Sequence, residues 1–183
     1  MTPMGHSLMG LTVAAFALPY DAKPSDRILR SGGIAFAFVA LANLPDWPLP
    51  GWGHDEYHVS HSLFVNVGLI CLAITAARIL ASKSWIGSWR FLGLASVAWL
   101  SHLLLDSFYN HGRGIGIYWP VSTGSFNLSM PWFNNFDRSQ ALFSPFNLSV
   151  FGVEFIAYAP ILLAAIVISS KLRSHRLKRQ NEI

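Results

Sequence analysis

Four apolar stretches, roughly residues 30–45, 62–82, 89–107 and 148–170, set the terms on which this 183-residue chain can fold. Each approaches the length of about 20 residues that carries a helix across the hydrocarbon core of a bilayer. A spanning segment in lipid has to satisfy its own backbone polar groups, and a helix does so. Only 12% of the residues are charged, against about 25% in ordinary soluble domains, so lipid is the expected solvent. A fifth stretch, 7–20, has about 14 residues and is short for a span. It reads as tilted, partly re-entrant, or packed within the bundle. The expected fold class is therefore all-α: a polytopic membrane helical bundle of four to five transmembrane helices, with a short first helix and a long outer loop. No repeat or low-complexity block divides it, so residues 1–183 read as a single membrane-embedded domain.

Lys and Arg give the orientation. With all five stretches crossing, one side holds Lys23, Arg27, Arg30, Arg78, Lys83, Arg90, Lys171, Arg173, Arg176, Lys178 and Arg179, and the other holds Arg113 and Arg138. Eleven against two is a strong positive-inside bias. It places the C-terminus, with the basic tail 171–183, in the cytoplasm and predicts a bacterial inner-membrane location. The net charge of +4 then reflects topology, and no nucleic-acid partner is expected. Trp52, Trp85, Trp89 and Trp119 fall near the ends of apolar runs, as interfacial aromatics do. The single Cys71 excludes a disulfide within one chain. No basic region precedes stretch 7–20, which argues against a signal peptide.

The same topology sorts the histidines. His6, His54, His58, His61, His102 and His111 fall at or near the non-cytoplasmic side, together with Asp46, Asp55, Glu56 and Asp106. The charge count did not require this, so it independently supports a single site at the outer face. The connector 45–61 begins rich in Pro, Gly and Trp and becomes dense in acids and histidines. Segment 108–147 carries seven Gly and Pro residues among Tyr, Trp and Phe. It reads as an outer-face loop, about 110–147, lying over the bundle, and long loops of this kind often act as functional lids.

Within these segments the chemistry-bearing residues fall into groups. His102 and Asp106 end an apolar run and lie one helical turn apart, hence on one face. An imidazole and a carboxylate so placed suit a divalent metal, and a buried hydrogen-bonded pair is the equal alternative. In Leu44-Pro45-Asp46, the acid is either a ligand or the cap of the preceding helix. The run His54-Asp55-Glu56-Tyr57-His58-Val59-Ser60-His61-Ser62 puts 54, 58 and 61 on one face if it is helical, whereas Ser60 or Ser62 as a cap leaves His61 at the mouth of the next helix. His6 sits at the mouth of the first helix, and His111 follows Asp106 as ligand, proton carrier or surface residue.

These motifs, in this order, resemble the bacterial membrane-bound metal-dependent hydrolase family, long catalogued as a domain of unknown function and including a DNA-damage-regulated inner-membrane protein. The family pattern is an early His, an L-P-D, an H-R-G-x-[ST]-H-S segment, then H-x-L-L-D followed by Gly and W-P. This chain has His6, Leu44-Pro45-Asp46, Ser60-His61-Ser62, His102-Leu103-Leu104-Leu105-Asp106, Gly116 and Trp119-Pro120. The likeness covers residues 3–122. It departs at the leading His of the third motif, where Glu56 stands, with His58 two places later. The ligand order is also similar, distantly, to zinc-dependent phospholipase C.

The resemblance implies a divalent-metal hydrolase. On that basis Asp46, His61, His102 and Asp106 hold the metal, Zn²⁺ first and Mn²⁺ second, and His6 holds it or a second ion. Glu56 or His58 handles the proton. Arg113, His111 and Trp119 contact the substrate, with Arg113 or Arg138 steadying an anionic group. The expected substrate is lipid-like or phosphorylated, drawn from membrane lipid. Two rival readings are a non-enzymatic metal-binding or transport protein and a structural bundle with a polar cap.

Overall fold

The computed structural model describes residues 1–18, 24–47, 57–110, 114–128 and 130–181, and its regular structure is helical. In chain order the elements are α1 (Pro3–Ala17), α2 (Pro24–Asn43), a 3₁₀ turn (Leu44–Asp46), α3 (Tyr57–Ser60), α4 (Leu63–Leu80), a second 3₁₀ turn (Trp85–Gly87), α5 (Trp89–Asp106) and α6 (Pro145–Asn181). Local chemistry sets several of the starts. Thr2 caps α1 by accepting from Met4 N at 3.2 Å, with Pro3 in the first turn where its missing N–H costs nothing. Ser62 caps α4 through Val65 N at 3.3 Å, the alternative that leaves His61 at the helix mouth. Ser88 does the same for α5 through Phe91 N at 3.3 Å.

Helix α1 is the centrepiece. It packs against α2, α5 and α6, so the short stretch 7–20 lies inside the bundle. A Cβ on Gly10 would come within 2.7 Å of the Phe38 carbonyl oxygen, which means that α1 and α2 meet backbone to backbone. Below that contact Val13, Ala14, Ala17, Ile34, Phe38 and Ala98 form the main core. By contrast α4 stands at the periphery, touching α5 and the adjoining turn while most of its apolar residues face outward.

Among the described residues two helices are long and apolar enough to cross a membrane, α4 and the 145–176 part of α6. The four-to-five-span expectation therefore finds its helices at the expected places, but only two of them span by length and composition alone. The shortfall has local causes. Fifteen residues of α1 rise about 22 Å, less than a hydrocarbon core of ~30 Å. The first turns of α2 carry Asp26, Arg27 and Arg30, and α5 carries Arg90, His102 and Asp106. Helix α6 continues through the basic segment to Asn181. Lys, Arg and Leu in that segment are good helix formers.

The loop between α5 and α6 is seated on the bundle. Leu128 N and Met130 N donate to the carbonyls of Ser107 and Phe108, each at 2.8 Å, and Asn110 N donates to Phe133 O at 3.2 Å. A lone antiparallel bridge joins Ile115 to Phe126. Leu105, Tyr109, Phe133 and Tyr158 close a second apolar cluster beneath it.

Candidate metal centre

Four helix termini meet at one end of the bundle: the start of α1, the end of α2 with its 3₁₀ turn, the start of α4 and the end of α5. His6, Asp46, His102 and Asp106 each bring one ligand atom within 4.8 Å of the other three. His61 joins them, its Nε2 lying 3.1 Å from His102 Nε2, 3.1 Å from Asp106 Oδ2 and 3.5 Å from Asp46 Oδ1. His6 Nε2 is 3.3 Å from Asp106 Oδ1 and 4.0 Å from Asp46 Oδ2, and its ring stacks on His102 at 3.7 Å. His102 Nε2 stands 3.4 Å from Asp106 Oδ2 and 3.6 Å from Asp46 Oδ1. The Met1 amino nitrogen is 3.1 Å from Asp106 Oδ1.

Those separations fit a metal. Donors 2.0–2.2 Å from one ion at tetrahedral angles stand roughly 3.3–3.6 Å apart, and the separations here, from 3.1 to 4.0 Å, bracket that distance. Outer contacts point the imidazoles inward. Ala42 O lies 2.8 Å from His102 Nδ1, and a carbonyl only accepts, so Nδ1 carries a proton and Nε2 is the ring nitrogen turned to the centre. Ser60 Oγ lies 2.8 Å from His61 Nδ1. Asn66 braces this region: its amide donates to Ser60 O at 2.8 Å and Ser62 O at 2.7 Å, and its oxygen accepts from Trp99 Nε1 at 2.7 Å.

Access differs among the ligands. The Asp46 side chain is 20% exposed, whereas the other four are at 2% or below or fully buried. The centre therefore opens on the Asp46 side. Burial works to raise the Asp46 carboxyl, but its contacts with His102 and His61 outweigh that and hold it well below the usual carboxylate range.

All five expected metal ligands thus come together. The other site expectations fare differently. His58 is exposed and stays out of the ligand group. Helix α3 ends at Ser60 after a single turn, so 58 and 61 do not share a continuous helical face. His58 and Trp119 instead make an edge-on ring contact at 5.6 Å and line one cavity of about 270 Å³ with Gly116, Ser122 and Thr123. Glu56, His54, Asp55, His111 and Arg113 lie outside the described residues. Two residues went unforeseen, Asn66 and Glu154, both fully buried. Each had a signal: an amide and an acid alone in apolar runs, where polar groups seldom stand without a partner.

The YdjM inner membrane protein family matches this chain over residues 1–181. The chain belongs to that family, and it is an inner membrane protein. The match continues through the last third, beyond residue 122 where the motif resemblance stopped. No curated protein and no solved structure matches the chain.

Proposed function

We propose that this YdjM-family inner membrane protein is a divalent-metal-dependent hydrolase that cleaves a phosphoester or related bond of a lipid-borne substrate at the outer face of the membrane. The observation that carries this reading is the convergence of three imidazoles and two carboxylates, with His102 held from outside so that Nε2 faces the centre. His6, Asp46, His61, His102 and Asp106 would hold the ion, and the mixed nitrogen and oxygen donors suit Zn²⁺, then Mn²⁺. When bound, such an ion lowers the pKa of water towards about 7 and supplies positive charge to a phosphoryl group.

The chain's own residues supply the rest. Asp46, at the open side, admits the substrate to the centre. His58 and Trp119 line the neighbouring loop cavity, where an imidazole can accept or donate a proton and an indole can cover a headgroup. An apolar cavity of about 190 Å³ between α2, α4 and α5 supports a lipid substrate. It reaches Leu41 and Trp99, one residue before Ala42 and one turn before His102. The eleven-to-two distribution of Lys and Arg supports an outward-facing site with a cytoplasmic C-terminus. A transport path is disfavoured, since the histidines and acids of the centre gather at one end of the helices instead of being strung through them at different depths.

The test is metal analysis of detergent-purified protein beside His102→Ala and Asp106→Ala, followed by assay of a chromogenic phosphodiester and of phospholipids. The expected outcome is about one or two ions per chain in the parent and loss of metal and hydrolysis in both variants. Full metal content in both variants would sink the reading.

A further inference from the structure

His6 is held unlike the other two imidazoles. His61 and His102 each have an Nδ1 partner outside the centre, whereas His6 Nδ1 has no hydrogen-bond partner among the described residues. Its ring is therefore placed through its own backbone and by stacking on His102. That backbone is the first turn of α1, and α6 grips it. Glu154, fully buried on α6, accepts from Thr2 N at 2.9 Å, from Gly5 N at 3.1 Å and from Thr2 Oγ1. Thr2 N and Gly5 N belong to the N-terminus of the helix, where amides lack intrahelical acceptors and a negative charge is favoured.

We propose that Glu154 is a positioning residue of the metal centre, which fixes His6 in the ligand set by clamping the N-terminus of α1 to α6. The inference rests on the metal-centre reading above. Gly5, the residue before His6, is the second half of the clamp. A Cβ there would meet Met1 Cε at 2.1 Å, Glu154 Oε2 at 3.0 Å and Glu154 Cδ at 3.2 Å, so glycine leaves room for both the Met1 side chain and the carboxylate against the helix end. Both carboxylate oxygens accept from α1, which leaves Glu154 an anchor and gives it no part as the proton acceptor of the reaction. Residues past 122 thereby become part of the centre, in keeping with a family match that runs to residue 181.

The experiment is Co²⁺ titration of purified full-length protein, reading affinity and the visible d–d spectrum, with unfolding followed in parallel. His6→Ala sets the signature of a lost imidazole. Glu154→Gln, nearly isosteric but presenting an amide, should shift the spectrum in the same direction and weaken Co²⁺ binding about 10- to 100-fold, as outer partners of metal ligands do. A parent-like spectrum and affinity in folded Glu154→Gln, with His6→Ala altered, overturns the positioning role and leaves the metal centre standing. An unaltered spectrum in His6→Ala also overturns it, by removing His6 from the ligand set. Absence of Co²⁺ binding by the parent overturns the metal centre and this inference together.

Discussion

At one end of the bundle His6, His61, His102, Asp46 and Asp106 face one another; at the other end Arg78 and Arg90 face backbone. Arg90 Nη2 donates to Phe16 O in the last turn of α1, and Arg78 Nη1 donates to Gly87 O at 2.8 Å while lying 4.9 Å over the Trp89 ring. Each cation thus satisfies a carbonyl that the local backbone leaves over, the ordinary work of basic residues at helix C-termini. The acid–imidazole end is arranged otherwise. Its side chains use few backbone partners and aim their best donor atoms at a shared point. The basic residues spend their charge on backbone carbonyls, whereas Ala42 and Ser60 take up the outer ring nitrogens of His102 and His61 and leave the inner ones to a group that could hold a metal.

The largest effect expected from breaking that distinction comes from Asn66. Its amide makes three buried hydrogen bonds, and Asn66→Leu removes the side-chain partner of Ser60 O and of the Trp99 indole, while Ser62 O keeps the bond from Asn66 N. Each unsatisfied group costs roughly 1–3 kcal/mol, and metal affinity should fall by about 10- to 100-fold as His61 loses its frame. Thermal unfolding in detergent and a metal titration read the two losses separately. Stability lost with affinity intact would show that the ligands hold themselves in place without Asn66.

The contrast between the two ends also separates what was legible in the sequence from what was not. His102 and Asp106 were readable as a pair because one helical turn fixes their relation. Asp46 and His61 were readable because a helix stops at Leu44 and starts after Ser62, which puts both at helix mouths. His6 was harder, since its placement depends on α1 packing deep inside the bundle, and that depends on Gly5 and Gly10 meeting α6 and α2. Distant contacts of that kind leave no local pattern. Of the two readings of the segment before Ser62, the cap is the one the fold uses: α3 ends at Ser60, so 58 and 61 do not share a continuous helical face, and His58 stands apart from the ligand group. Apolar content alone also cannot tell a helix with an outward apolar face, such as α4, from one whose partners are other helices, such as α5, and among the described residues two helices meet the length and composition of a span.

Next in size stands Gly10→Ala, midway between the two ends. The added Cβ meets the Phe38 carbonyl oxygen at 2.7 Å, and Phe38 C and Val39 Cα at 3.0 Å, so α1 and α2 must part. Overpacking of this kind costs roughly 1–3 kcal/mol. Because α1 carries His6 at one terminus and accepts from Arg90 at the other, separation should be felt at both ends. The expected result is a lower unfolding temperature together with weaker metal binding, measured on the same sample. A change in stability with an untouched centre would mean that α1 pivots about its N-terminal clamp, and the coupling between the ends would be broken.

Arg90→Ala should have the smallest effect, and it probes the opposite end alone. The guanidinium meets α1 at its C-terminal carbonyls, where a cation contributes about 0.3–1 kcal/mol by its interaction with the helix dipole. Loss of that contact should lower the unfolding temperature slightly. Metal content should match the parent, because the contact to Phe16 lies ten residues of helix from His6, about 15 Å along α1. Arg90→Lys keeps the charge but not the planar fork, so it should recover only part of the lost stability. Elemental analysis beside a melting curve checks both statements. If Arg90→Ala emptied the metal centre, α1 would be transmitting strain along its whole length, and the two ends would have to be read as one cooperative unit.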